Sequence, residues 1–195
     1  MTCVINIRGC NGAGKSTIVK QFIDCYNTSI IELDNGSVVS YVKSIDTYIL
    51  GRYDVTSGGC DRYSSVEEVF SAVVSILKRY HPKAIVYEGA IYSTIFKSNY
   101  LLAKCVEKYN GKFVSVVLHR EFSNIVRLIE DRNGGKNFNT ANVLGKYEAV
   151  ITSSKKLESF GVKTYNIDVD NIKKNKMGKI LEKIMIKEGA FDGKE

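Results

Sequence analysis

Apolar positions along this 195-residue chain follow two alternating periods. Short continuous apolar runs read as buried strands, and apolar residues three or four apart read as helix faces. Cys3-Val4-Ile5-Asn6-Ile7 is the first run, and Ile18, Val19, Phe22 and Ile23 then share one face of a helix predicted from Lys15 to about Tyr26. Ser29 to Leu33 reads as a second strand, ending at Asp34 and broken by Asn35-Gly36. Val38 to Ile45 reads as a short helix and Thr47 to Leu50 as a strand-like piece. Ser64 or Ser65, followed by Glu67 and Glu68, has the pattern of a capping box. Behind it, Val66, Val69, Phe70, Val73, Val74 and Leu77 keep helical spacing until His81-Pro82. Ala84 to Tyr87 is a buried strand ending in Glu88-Gly89, and Phe113 to Leu118 is a β-branched one. Helices are predicted over Phe96 to Tyr109, Glu121 to about Asp131, Thr140 to Phe160 and Ile172 to Lys187, with a last strand over Val162 to Ile167. Alternation of this kind calls for an α/β fold, a parallel sheet covered on both faces. No repeat or linker interrupts it, so residues 1–195 read as a single domain.

Composition adds bounds. Hydrophobic content of 44% and charged content of 25% are those of an ordinary globular chain. No apolar run approaches the roughly 20 residues of a membrane helix. The five cysteines (Cys3, Cys10, Cys25, Cys60 and Cys105) are odd in number and have no C-x-x-C pair. That favours reduced thiols over a zinc site or a disulfide framework. With a glycine-rich motif already at residue 9 there is no room for a signal peptide, and a cytoplasmic protein is the expectation. The net charge is +7: residues 1–98 carry 10 basic and 9 acidic side chains, residues 99–195 carry 18 and 12. The basic second half suits a polyanionic partner, and it equally suits lysines that solvate outer helix faces.

The strongest chemical signal is Gly9-Cys10-Asn11-Gly12-Ala13-Gly14-Lys15-Ser16-Thr17. It fits G-x-x-x-x-G-K-[ST] between a strand and a helix, the setting this phosphate-binding P-loop needs. The glycines let successive N–H groups turn toward one anion, and the helix adds its positive end. Gly9, Asn11, Gly12, Ala13, Gly14, Lys15, Ser16 and Thr17 are the nucleotide-binding candidates. Lys15 would reach the β- and γ-phosphates and Ser16 would hold Mg²⁺. Two strand-end acids, Asp34 and Glu88, are candidates for taking the acceptor's proton and for facing the metal; Asp34 suits the first role and Glu88 the second, and the two are exchangeable. The segment from about 51 to 63, LGRYDVTSGGCDRY with its preceding Leu50, carries acceptor-binding candidates Arg52, Tyr53, Asp54, Gly58, Gly59 and Asp61. Its arginines would meet phosphates and its tyrosines would stack on a base. Arg127, Arg132 and Lys136 flank Gly134-Gly135 in a predicted lid over about 127–138, suited to neutralising charge on a phosphoryl group in transfer.

These elements together resemble the P-loop kinase group that includes nucleoside monophosphate, shikimate and gluconate kinases. The resemblance implies a P-loop NTPase three-layer fold, a five-stranded parallel sheet ordered 2-3-1-4-5, ATP as the donor and Mg²⁺ as cofactor. A narrower resemblance rests on LGRYDVTSGGCDRY, IVYEGAIYST and VRLIEDRNGGK, which look like a phage-encoded P-loop kinase group that includes 5-hydroxymethyluracil DNA kinases. It implies a hydroxymethyl acceptor on a pyrimidine in DNA, flipped out of the duplex and stacked on Tyr53 or Tyr63. It also implies the host cytoplasm as the place of action. A kinase of a free nucleotide or small metabolite is the alternative. A P-loop ATPase or GTPase switch is a second one, disfavoured because no N-K-x-D is present and no D-x-x-G follows the third strand. His81 and His119 are expected at a helix end and a strand end, outside the chemistry.

Overall fold

The computed structural model describes residues 1–53, 59–135 and 137–191. A seven-stranded sheet forms its middle layer. The strands are β1 (Cys3–Arg8), β2 (Ser29–Glu32), β3 (Val38–Val42), β4 (Thr47–Leu50), β5 (Ala84–Glu88), β6 (Lys112–His119) and β7 (Lys163–Asp168), in the order β2-β3-β4-β5-β1-β6-β7. β4, β5, β1, β6 and β7 run parallel. Numbered among themselves along the chain, these five have the order 2-3-1-4-5.

The helices are α1 (Lys15–Ile23), α2 (Val66–Arg79), α3 (Ala90–Thr94), α4 (Lys97–Lys108), α5 (Phe122–Arg132), α6 (Thr140–Ser159) and α7 (Gly178–Lys187). Alternating side chains of each strand point to opposite faces. Cys3, Ile5 and Ile7 of β1 pack toward Ile18 and Phe22 of α1 and Leu181 and Met185 of α7. Val4 of β1, with Ile85 and Tyr87 of β5, packs toward Ile76 and Leu77 of α2, Leu102 and Val106 of α4 and Leu157 of α6. Helices on both sheet faces give the three layers, and each fully buried Ile, Leu or Phe contributes about 1.5–3 kcal/mol.

Two strand expectations change. The second parallel strand is Thr47–Leu50, and Ser29 to Leu33 instead supplies the outer strand of an antiparallel extension. Val38 to Ile45, expected as a helix, is strand β3 followed by a 3₁₀ turn at Lys43–Ile45. Asn35-Gly36 is the physical reason. Gly36 takes φ 77°, Asn35 Oδ1 accepts from Ser37 N–H at 3.1 Å, and Leu33 N–H donates to the Ser37 carbonyl at 2.8 Å. Asn-Gly between β-branched runs is a hairpin signal. Five residues are too few for a period of 3.6 to be told from a period of 2. The sheet is therefore mixed and seven-stranded, with the parallel core as expected.

Candidate active site

The P-loop leaves β1 at Arg8 and enters α1 at Lys15. Gly12 and Gly14 adopt φ 83° and 95°, which a side chain rarely takes. Gly9 is excluded from carrying a Cβ for another reason: the atom would lie 2.9 Å from Ala13 Cβ. Lys15 is buried, and its Nζ donates to the carbonyl oxygens of Gly9 at 2.9 Å and Cys10 at 3.2 Å. Burial lowers its pKa, and the nearby Glu88 opposes that shift. Glu88 ends β5 next to β1, with Ile7 as its partner across the ladder. Its carboxylate is 1% exposed, so burial pushes its pKa up against the pull of Lys15 and the Ser16 hydroxyl. Ser16 Oγ donates to Glu88 Oε1 at 2.8 Å, while Glu88 Oε2 is buried without a hydrogen-bond partner among the described residues.

The segment before α2 closes on this acid. A Cβ on Gly59 would lie 2.3 Å from Glu88 Oε1, and one on Gly51 would lie 2.3 Å from the Gly59 carbonyl oxygen. Both glycines have positive φ, 66° and 86°. Only bare backbone can approach Glu88 this closely. Tyr53 is buried in the core on the α1 side of the sheet and its hydroxyl donates to Glu88 Oε1 at 3.4 Å. Asp61 sits in the 3₁₀ turn Gly59–Arg62, and its Oδ1 accepts from Ala90 N–H at 3.2 Å, at the start of α3.

A cleft of about 510 Å³ opens over the P-loop. Asn11, Gly12, Gly14, Lys15, Ser16 and Thr17 form its floor, with Glu88 and Asp61 on one side. Arg120, Arg132, Asp170 and Lys174 form the other. Arg120 Nη1 pairs with Asp170 Oδ1 at 3.3 Å, and its Nε is buried without a partner among the described residues. Cys10 is buried against Ile125 and Ile129 of α5, so the P-loop and the arginine-bearing helix share one apolar contact. Such an arrangement presents backbone donors, two lysines and two arginines to a polyphosphate, with three carboxylates beside them.

A family model described as 5-hmdU DNA kinase matches residues 2–176. The chain belongs to that family. A 5-hmdU DNA kinase of Bacillus phage SP10 is 31% identical over 171 residues, covering 85% of this chain and 26% of that protein. One of Pseudomonas phage PaMx11 is 26% identical over 178 residues, covering 86% of this chain and 91% of the relative. One of Pseudomonas phage M6 is 28% identical over 155 residues, covering 75% and 80%. The chain thus spans about a quarter of the SP10 protein and most of the other two.

In this kinase-family chain the residues expected from sequence fall into three groups. Asn11, Gly12, Gly14, Lys15, Ser16, Thr17, Asp61, Glu88 and Arg132 line one cleft; Gly9 and Ala13 support its floor, and Gly59 backs Glu88. Asp34 is not brought there. It follows the outer antiparallel strand, its side chain is 69% exposed, and it pairs with Arg79 at the end of α2. A parallel strand over Ser29 to Leu33 would bring it to the cleft, but that strand is antiparallel and lies at the sheet edge. Arg127 is exposed on α5 and does not line the cleft. Arg52 borders a separate hollow of about 240 Å³ with Ser37 and Tyr63. Tyr53 is packed in the core and Tyr63 is half-buried, its hydroxyl donating to the Val38 carbonyl at 3.1 Å, and neither lines the cleft over the P-loop. Asp54, Gly58 and Lys136, with part of the 127–138 lid, lie outside the described residues. The glycine pair Gly134-Gly135 forms a turn between α5 and α6 with φ 62° and 73°.

Sequence reasoning missed Arg120, Asp170 and Lys174. Arg120 and Asp170 follow the last residues of β6 and β7 by one and two positions, and strand ends at the carboxyl edge of a parallel sheet are where ligands bind. That position was the available signal.

Proposed function

We propose that this protein transfers the γ-phosphoryl group of ATP to the 5-hydroxymethyl group of 5-hydroxymethyluracil in DNA. The observation that carries the phosphotransferase reading is the meeting of Lys15, Ser16, Glu88, Asp61, Arg120 and Arg132 around one cleft. The 5-hmdU DNA kinase family and its phage relatives support the acceptor.

The loop amides and Lys15 hold the β- and γ-phosphates, and Lys15 exchanges its two carbonyl contacts for phosphate oxygens. Glu88 Oε2, buried beside the Ser16 hydroxyl and without a hydrogen-bond partner among the described residues, fits a divalent cation. Ser16 and Glu88 would hold Mg²⁺, which when bound offsets phosphate charge. Asp61, at the cleft and exposed, replaces Asp34 as the group that takes the acceptor's proton. The acceptor oxygen gives that proton to the Asp61 carboxylate as its bond to the γ-phosphorus forms. The bond from that phosphorus to the bridging oxygen breaks and ADP leaves. Arg132, at the end of α5, and Arg120 neutralise the charge spread over the phosphoryl oxygens. A duplex acceptor must be flipped into the site, which costs a few kcal/mol of unstacking.

The test is transfer of label from γ-labelled ATP to three acceptors: plain DNA, 5-hydroxymethyluracil DNA and the free hydroxymethyl nucleotide. Label in the modified DNA alone is expected. Label only in the free nucleotide sinks the DNA reading, and release of phosphate with no acceptor labelled points to the hydrolase alternative.

A further inference from the structure

Arg8 is the largest fully buried side chain among the described residues, and it does not line the cleft. It ends β1 and directly precedes Gly9, the first residue of the phosphate loop. Its guanidinium lies on the α3 and α6 side of the sheet. Nε donates to Ser154 Oγ at 3.1 Å and Nη1 to Asn6 Oδ1 at 3.4 Å. Nη2 donates to Ser153 Oγ at 2.6 Å and to the Ser93 carbonyl at 2.8 Å. All four acceptors are neutral. The nearest acid in the ladder, Glu88, pairs with Ile7 and so faces the opposite side of the sheet. Burial lowers Arg8 only to about 10, so it stays charged at neutral pH.

Among the described residues Arg8 has no counter-charge; a buried cation of that kind is expensive, and a neutral residue of similar size would satisfy the same packing. The position of this one matters. Ser93 links it to the loop: its carbonyl takes Arg8, while its hydroxyl accepts from Gly9 N–H at 3.2 Å and donates to the Gly89 carbonyl at 2.7 Å, next to Glu88. The charge thus sits behind the one part of the molecule built to receive several negative charges. In a dry interior, such an interaction is poorly screened.

We propose that Arg8 is a positioning residue whose buried charge balances the phosphates of the bound nucleotide, with the Ser93 hydroxyl fixing the first amide of the phosphate loop against it. This rests on the phosphotransferase reading above. The charge is neutralised by the ligand and not by the protein, which explains why the sequence keeps a guanidinium among serines.

Binding of ATP, ADP and AMP to the full chain tests it, measured by calorimetry for Arg8, Arg8→Lys and Arg8→Gln. Arg8→Gln keeps hydrogen-bonding groups and loses the charge; its affinity loss should grow with phosphate count, to about 10-fold for ATP. Arg8→Lys keeps the charge and loses the planar fork, and should stay within about 3-fold of the parent. Equal losses for ATP and AMP, or equal losses in the two variants, overturn the proposal and assign Arg8 to packing alone. Should Arg8→Gln fail to fold, Ser153→Ala with Ser154→Ala removes two neutral partners and keeps the charge. Retained preference for ATP over AMP supports the proposal there, and a lost preference overturns it. Absence of ATP binding by the unsubstituted protein is a distinct result, which removes the phosphotransferase reading itself.

Discussion

Gly59→Ala places a single methyl group against the acid of the site. The residue has φ 66°, and its new Cβ would lie 2.3 Å from Glu88 Oε1 and 2.8 Å from Glu88 Cδ. Gly36→Ala is its control: φ is 77°, but nothing lies within 4 Å of the added atom. Both substitutions carry the backbone penalty of a left-handed residue, roughly 1–2 kcal/mol. For a chain of this size that is about 2–8 °C in Tm. Only Gly59→Ala adds the clash. Restoring an ordinary contact of about 3.5 Å pushes the carboxylate back by roughly 1 Å. Glu88 Oε1 is the oxygen that accepts from Ser16, so the shift is felt where Mg²⁺ would be held. A 1 Å misplacement at a reacting centre costs about 10²-fold in rate. The assay is kcat at saturating ATP, with Mg²⁺ titrated, for the parent and both variants. Gly36→Ala should keep kcat within about 3-fold and Gly59→Ala should lose about 10²-fold, with a raised Mg²⁺ requirement. Equal kcat in the two variants would refute the claim that bare backbone at Gly59 sets the position of Glu88.

Other consequences are equally direct. Asp61→Asn should lower kcat by at least about 10²-fold, while Asp34→Asn, outside the cleft and paired with Arg79, should stay within about 3-fold. Arg132→Ala should lower kcat by about 10–10³-fold and Arg127→Ala should change it little, since Arg132 lines the cleft and Arg127 does not. Burial holds the Glu88 pKa above the ordinary carboxylate value of 4.5, against the opposing pull of Lys15. The folded state therefore keeps its proton to higher pH than the unfolded chain does. Stability of the nucleotide-free protein should fall as pH rises from 4.5 through the raised value, and Glu88→Gln should flatten that slope in urea unfolding.

What could be read from the sequence was what local pattern encodes. The P-loop, its flanking strand and helix, and Glu88 at the end of an apolar run all depend on neighbours within a few residues. The 2-3-1-4-5 order of the parallel core joins strands tens of residues apart, and it came with the family resemblance alone. Asp34 shows where that stops: its strand was recognised, but which strand it pairs with is settled by an Asn-Gly hairpin and by Thr47–Leu50 taking the inner place. Tyr53 looked like a stacking surface because aromatic residues in loops often are; its burial follows from the Gly51–Gly59 contact, which joins residues eight apart. Arg120 and Arg8 were passed over for opposite reasons. The first lies one residue beyond a strand end, and the second is hidden in an apolar run where charge is not expected.

The most direct test of the account is the identity of the phosphorylated product. Duplex DNA containing 5-hydroxymethyluracil is incubated with the protein, ATP and Mg²⁺, digested to nucleosides, and weighed by mass spectrometry. The account predicts a deoxyuridine whose 5-hydroxymethyl oxygen carries a phosphate, formed by the parent and lost in Lys15→Ala. Unmodified hydroxymethyl nucleoside from the parent reaction, or the same product from Lys15→Ala, would contradict it.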